Sequence, residues 1–253
     1  MNNKIDRLIT LIRETDKIVI FTGAGVSTES GIPDFRSPGG VWSRFDPADF
    51  TIERYLKSPE ARDKQWQFLL ANPELRLAQP NPAHIGIAKL EAMGKVLGVI
   101  TQNIDGLHQK AGSTPRMVHE LHGTLERIIC LNCSAKFITN EVLAQHGACQ
   151  HLPACDACGG MLKPDVVLFG EALPPLPLKT ATQLSFAAEL LLVVGSSLVV
   201  YPAASIPFHA KRNGAKVAII NLGETAFDDG ADVVINDYAS KVMTTIGESL
   251  EGC

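Results

Sequence analysis

Five short stretches of this chain are almost continuously apolar, and that narrows the fold more than any other feature. A strand with one wet face alternates apolar and polar side chains, whereas a strand covered on both faces has no need to. Residues 17–22 (Lys17-Ile-Val-Ile-Phe-Thr22) form such a run, and 96–101, 166–169, 190–194 and 216–221 repeat it. Residues 233–235 read as a sixth, shorter one. Between these runs apolar residues recur at helical spacing over 4–13, 83–93, 176–188, 203–213 and 240–250. Doubly buried strands alternating with helices predict an α/β fold with a parallel sheet and helices on both faces. Ligands in such sheets bind at the carboxyl ends of the strands.

Two stretches break the rhythm. Residues 31–82 are long, rich in Pro and Gly at the start, and helical in pattern over 59–72; residues 126–159 are polar and carry paired cysteines. They are expected to build a smaller lobe against a sheet domain made of 1–30, 83–125 and 160–253. No internal repeat or low-complexity tract is present.

Composition excludes several classes. With 45% hydrophobic and 20% charged residues the balance is that of a globular chain. The net charge of −4 and the lack of a basic stripe argue against direct nucleic-acid binding. Residues 1–10 do not read as a secretory signal, and the most apolar run, 190–194, is too short to span a bilayer. A cytoplasmic protein that acts as a monomer, away from membranes, is expected.

Without a secretion signal, 6 cysteines point to metal or catalysis before disulfides. Cys130-Leu-Asn-Cys133 and Cys155-Asp-Ala-Cys158 are two C-x-x-C knuckles with 21 residues between them (134–154). Four thiolates at that spacing predict a closed tetrahedral zinc site, structural because no position is left for water. Two redox dithiols are the less fitting alternative. Cys149 has no partner at two-residue spacing, and Cys253 is terminal and expected to be free.

The first apolar run ends in Gly23-Ala24-Gly25-Val26-Ser27. Glycines there would let backbone N–H groups approach a phosphate. Thr28 stands where a full G-x-G-x-x-G would need its third glycine, and no G-K-[ST] follows. Alone, the segment reads as an ordinary strand-to-helix turn before it reads as a phosphate loop. Gly31-Ile-Pro-Asp34-Phe35-Arg36 then supplies a guanidinium for a phosphate or carboxylate and an aromatic that could cover a reactive sugar. The second run turns polar at its carboxyl end, with Thr101, Gln102, Asn103 and Asp105, where the sheet would hold its ligand. Asp105 could also cap the next helix, but so many polar groups at a strand's carboxyl end point to a ligand before a cap. A histidine has the free pKa of a general base, but His108, His119 and His122 are all candidates.

Taken together, Gly23–Ser27, Gly31–Arg36, Thr101–Asp105, His122-Gly123, the four cysteines and Gly195-Ser196-Ser197-Leu198 occur in the order found in sirtuins, and the chain resembles that family from about residue 7 to 250. The resemblance implies a Rossmann-like NAD-binding domain, a small zinc-bearing lobe, and NAD meeting an acyl-lysine protein or peptide in the cleft between them. It implies that Ala24, Thr28, Asp34, Phe35 and Arg36, with Gly23 and Gly25, line a cofactor loop. Gln102 would touch the nicotinamide ribose, and Ile104 and Asp105 would form the nicotinamide pocket. Gly195, Ser196, Ser197, Asn221 and Leu222 would hold the adenosine half, with Tyr238 against adenine. Val166, Phe169, Gly170 and Glu171 would lie along the substrate peptide, bound as an added strand. His122 would be the base that activates a ribose hydroxyl, and Asn103 would position the ribose or a water. The activity implied is NAD-dependent protein-lysine deacetylation that gives nicotinamide and O-acyl-ADP-ribose.

Sirtuins that prefer acidic acyl groups carry a Tyr-x-x-Arg pair on the small-lobe helix. Phe68 and Ala71 are matched to those positions here, so acetyl or other uncharged acyl groups, including longer ones, are expected. Mono-ADP-ribosyl transfer from NAD would use the same cofactor residues and is the main alternative. A non-catalytic NAD or ADP-ribose module is less consistent with Asn103, Asp105 and His122 all being present. A zinc-containing nucleic-acid binder fits only the cysteines.

Overall fold

The computed structural model describes residues 2–146 and 153–251, so Cys149 and Cys253 lie outside the described residues. Nine strands occur there: β1 (Ile18–Thr22), β2 (Val96–Thr101), β3 (Val118–Glu120), β4 (Gly123–Cys130), β5 (Lys136–Ile138), β6 (Leu162–Val166), β7 (Leu190–Val194), β8 (Lys216–Ile220) and β9 (Val233–Ile235). Six of them form one sheet in the order β3-β2-β1-β7-β8-β9, with every pairing parallel. The chain runs outward from β1 through β2 to β3, then returns to the other side of β1 as β7 and continues to β9. The order therefore reverses between β1 and β7, which opens a crevice at the carboxyl ends there.

The continuous apolar runs are explained by two cores. Ile18 and Ile20 face one with the helices Asn2–Arg13, Pro82–Ala92 and Ala239–Glu251; Val19 and Phe21 face the other with Pro175–Ala187 and Ile206–Arg212. All five residues of β1 and of β7 are buried. Each fully buried Ile or Phe there contributes roughly 1.5–3 kcal/mol of transfer free energy.

Two sequence expectations fail. Residues 166–169 are not a strand of the parallel sheet. Val166 ends β6, which pairs antiparallel with β4 in a separate β5-β4-β6 sheet, and Phe169 makes only an isolated bridge to Thr51. An apolar run of four residues carries no information about its partner. The place expected for it is taken by β3, a three-residue edge strand whose His119 and Glu120 give no buried-strand signature. The stretch 203–213 also divides, with a 3₁₀ turn at Ala203–Ser205 before the helix Ile206–Arg212.

The three-stranded sheet packs with the helices Pro59–Ala71 and Thr139–His146 around a third core that includes Trp66, Leu69, Ile128, Val142 and Leu162. Tyr55, fully buried, ties the helical insertion to this sheet by donating to the Leu162 carbonyl at 2.5 Å. No helix among the described residues is long and apolar enough to cross a membrane.

Candidate active site and metal centre

Glycine is required at the switch point by contact, not by flexibility alone. Gly23 and Gly25 leave β1, and Gly195 leaves β7 with φ +65. The Gly25 amide donates to the Gly195 carbonyl at 2.9 Å. A Cβ on Gly195 would lie 2.1 Å from the Val26 nitrogen, and one on Gly25 would lie 2.9 Å from Gly195 Cα. The close approach leaves backbone, without side chains, at the floor of the crevice. Residues Ala24–Ser30 continue as a 3₁₀ turn rather than a regular α-helix.

Above this floor lies a cavity of about 1030 Å³. Its wall contains the segments that follow β1, β2, β7, β8 and β9, together with His122 after β3. Each residue singled out for the cofactor is on that wall: Gly23, Ala24, Gly25, Thr28, Asp34, Phe35, Arg36, Gln102, Asn103, Ile104, Asp105, Gly195, Ser196, Ser197, Asn221, Leu222 and Tyr238. So are Val166, Phe169, Gly170 and Glu171. The wall also includes Ser27, Trp42, Phe50, Val167 and Leu168, which sequence reasoning did not pick out as site residues. Ser27 was within reach of it, as a hydroxyl inside the glycine run; Trp42 and Phe50 carry no local signal.

Ser27 organises the polar end of β2. Its hydroxyl donates to Asp105 Oδ2 at 2.7 Å and accepts from Asn103 Nδ2 at 3.0 Å. Asp105 Oδ1 accepts from the Leu107 amide at 2.9 Å, so Asp105 caps the following turn and lines the cavity as well. His84 Nε2 lies 3.4 Å from Ser27 Oγ. Behind it, His108 Nε2 meets Thr22 Oγ1 at 2.9 Å, and Thr22 donates to Thr101 at 2.8 Å. Burial pushes His84 down to about 4, against the opposing charge of Asp105. Burial, and then His84, pushes His108 down to about 3. Both rings are therefore neutral at pH 7 and serve as packed supports.

Of the three histidines considered from sequence, only His122 reaches the cavity wall. His108 is 1% exposed beneath it, and His119 sits on the edge strand β3. The His122 Nδ1 lies 2.9 Å from the Gln102 carbonyl. A carbonyl only accepts, so Nδ1 carries the proton and Nε2 keeps its lone pair. Desolvation lowers the His122 pKa, partly countered by the Gln102 carbonyl. The Gln102 side chain is held in turn, donating to Ser196 Oγ at 2.8 Å.

Two acidic side chains on the wall are held by groups close by. Asp34 turns back on its own loop, accepting from the amides of Arg36 and Ser37 at 2.9 and 2.8 Å. Glu171 is bound by Lys163 Nζ at 2.9 Å and by the Leu168 amide at 2.7 Å. Each shapes the wall through a hydrogen-bonded loop. Aromatic rings close one side: the Trp42 ring packs tilted or edge-on against Phe35, Phe50 and Phe169, with centroids 5.3, 5.5 and 5.8 Å away. Phe68 packs on Phe45 at 4.8 Å and lines the cavity, whereas Ala71 is exposed and off its wall.

The four cysteines converge. Cys130 and Cys158 sulfurs are 3.6 Å apart, Cys133 and Cys155 3.8 Å, and all four lie within 4.8 Å of one another. Sulfurs about 2.3 Å from a tetrahedral zinc are roughly 3.8 Å apart, so the set fits that ion. The amide of Cys133, and then that of Asn132, favours the Cys130 thiolate and lowers its pKa.

Fold and site together define a class: a doubly covered parallel α/β sheet with a nucleotide-sized crevice at its switch point, and a four-cysteine cluster arranged to hold a metal ion. The sequence matches the Sir2 family over residues 23–202. It is 46% identical over 253 residues to an NAD-dependent protein deacetylase 1 of Pyrobaculum aerophilum, spanning 99% of this chain and 96% of that protein. A solved Sir2 structure with a p53 peptide and NAD+ superposes with a TM-score of 0.87 at 39% identity, covering 98% of this chain and 99% of that one. Another, with a deacetylated p53 peptide and 3′-O-acetyl ADP ribose, gives 0.90 at 40% identity, covering 97% and 98%. The chain belongs to the Sir2 family.

Proposed function

We propose that this protein removes acetyl or other uncharged acyl groups from protein lysines in an NAD-dependent reaction, releasing nicotinamide and O-acyl-ADP-ribose. The observation that carries the reading is His122, a neutral histidine whose Nδ1 is tied to the Gln102 carbonyl on the wall of a cavity built at the sheet's switch point. The fit to NAD rests on the side-chain-free cradle of Gly23, Gly25 and Gly195 and on a cavity of about 1030 Å³, the scale of a large cofactor.

In this reading NAD supplies an electrophilic ribose carbon and nicotinamide as leaving group. Arg36 and the glycine cradle hold the phosphates, and Phe35 keeps water from the ribose. Asp105 and Ile104 hold the carboxamide, with Ser27 fixing the Asp105 carboxylate. Asn103, oriented by the same hydroxyl, positions the ribose or a water. His122 Nε2, with its lone pair free, would accept the proton of a ribose hydroxyl. Ser196, Ser197, Asn221, Leu222 and Tyr238 hold the adenosine half. Val166, Phe169 and Gly170 border the acyl-lysine peptide, and Glu171 shapes that border. Cys130, Cys133, Cys155 and Cys158 hold a structural zinc. We place the small lobe at 31–82 and, in place of the expected 126–159, at 123–166, because β4 and β6 pair within its own sheet, and we place the chain in a reducing cytoplasm, which suits four cysteines kept as thiols.

The test is an acetyl-lysine peptide incubated with and without NAD, products followed by mass spectrometry, with His122→Ala alongside. NAD-dependent loss of acetyl, with O-acetyl-ADP-ribose formed and the variant at least 100-fold slower, supports the reading. NAD consumption with the peptide still acetylated sinks it and favours ADP-ribosyl transfer. A succinyl-lysine peptide in the same assay is expected to react at least tenfold more slowly. The only Lys or Arg among the described residues of the cavity wall is Arg36, on the cofactor loop.

A further inference from the structure

Lys163 is 4% exposed, on β6, directly behind the segment 166–171. A buried ammonium is costly unless it is paired and hydrogen-bonded. Its Nζ donates to the Val166 carbonyl at 2.5 Å and to Glu171 Oε2 at 2.9 Å. The same Glu171 oxygen accepts from the Leu168 amide at 2.7 Å, and the Glu171 amide donates to the Leu168 carbonyl at 3.0 Å. One ion pair thus closes a ring of hydrogen bonds from Val166 to Glu171, with Gly170 at φ +85 making the turn. The segment is pinned from outside as well. The Val167 amide donates to the His122 carbonyl at 2.8 Å, and Phe169 bonds to Phe50 and Ile52 at 3.0 Å each. Among the described residues the Val167 carbonyl and the Gly170 amide are left without hydrogen-bond partners. These are the groups through which an added strand would pair.

We propose that Lys163 and Glu171 are positioning residues for substrate: their buried ion pair preforms the 166–170 edge on which the acyl-lysine peptide docks. The inference rests on the reading that this segment borders the peptide. Neither side chain touches the reacting atoms. Preforming the edge removes an ordering cost at the moment of binding, so its loss falls on peptide affinity, not on NAD or the chemical step.

Steady-state deacetylation with the peptide and NAD varied in turn, and thermal unfolding run beside it, tests this on Lys163→Met, Lys163→Arg, Phe169→Ala and the double variant Lys163→Met/Glu171→Leu. The double variant removes both charges, a change that often restores stability in a buried site. It still leaves the Val166 carbonyl and the Leu168 amide without their partners. The peptide KM is expected to rise about tenfold in Lys163→Met and to stay raised in the double variant even as its melting temperature recovers. The NAD KM and kcat should stay within about twofold, and Lys163→Arg should stay near wild type. Recovery of the peptide KM together with stability in the double variant would make the pair merely structural and overturn the proposal. If Phe169→Ala raises the peptide KM while the pair variants do not, the pair inference alone fails. If Phe169→Ala leaves it unmoved as well, the docking reading fails and takes the proposal with it. Should Lys163→Met not fold, the double variant carries the same comparison.

Discussion

At the scale of the residue, the site depends on a few atoms whose roles follow from their partners. His122 is basic at Nε2 because a backbone carbonyl fixes the proton on Nδ1, and desolvation lowers its pKa from 6.5. The unprotonated ring is the working form. Activity should therefore be full at neutral pH and fall as the solution is acidified, with the acid limb of kcat/KM centred below 6.5. A limb centred well above that value would contradict the assignment. Gly195 is constrained more severely: with φ +65 and a Cβ 2.1 Å from the Val26 nitrogen, Gly195→Ala forces the β1 and β7 loops apart. A loss of about 3 kcal/mol or more in urea unfolding is expected, along with NAD binding. Both glycines of the Gly-Ala-Gly run were legible in sequence, but the reason for the second was not, since its contact lies 170 residues away (195 − 25).

At the scale of the element, the small antiparallel sheet is where the cysteine cluster and the packing meet. β4 ends at Cys130, and Cys155 is 2% exposed in the same apolar cluster as Ile128 and Leu162. Tyr55 and Trp66 from the helical insertion complete that core. Cys155→Ser should lower bound zinc from one per chain to near zero by elemental analysis and make 126–166 sensitive to limited proteolysis. Activity would fall with it, because β6 leads directly into the 166–171 edge. Full zinc occupancy and unchanged proteolysis would refute the four-ligand site. The knuckles were readable from spacing alone, since four thiolates need only local loops. The pairing of β6 with β4 was not, because register between strands that are distant in sequence is decided by contacts a linear pattern does not contain.

At the scale of the whole molecule, two buried histidines couple stability to pH. His84 titrates at about 4 and His108 at about 3 in the fold, against 6.5 for a free histidine. The fold holds both neutral, so their contribution is complete above about 6.5 and is lost as the pH falls below it. Each histidine costs about 1.4 kcal/mol per pH unit over that range. The urea midpoint should be flat from pH 8 to 7 and decline clearly by pH 5.5. A flat profile to pH 5.5 would show that the rings are not held neutral. Both lie beneath the Ser27–Asn103–Asp105 cluster, so activity and stability should fail together in acid.

By itself the sequence determined the layer architecture and the four-cysteine pattern, while the candidate site residues came from its resemblance to a known family. The first two depend on periodicity and spacing: uninterrupted apolar runs demand two covered faces, and two C-x-x-C knuckles at that spacing suit a metal ion. Tertiary structure alone decided which histidine faces the cavity and which are buried props. It also decided that Asp34 is held within its own loop and Glu171 by Lys163 of β6, and that the polar strand β3 closes the sheet's edge while 166–169 does not. Those outcomes depend on contacts between residues far apart in the chain, where burial and hydrogen-bond direction select among side chains that look alike in sequence.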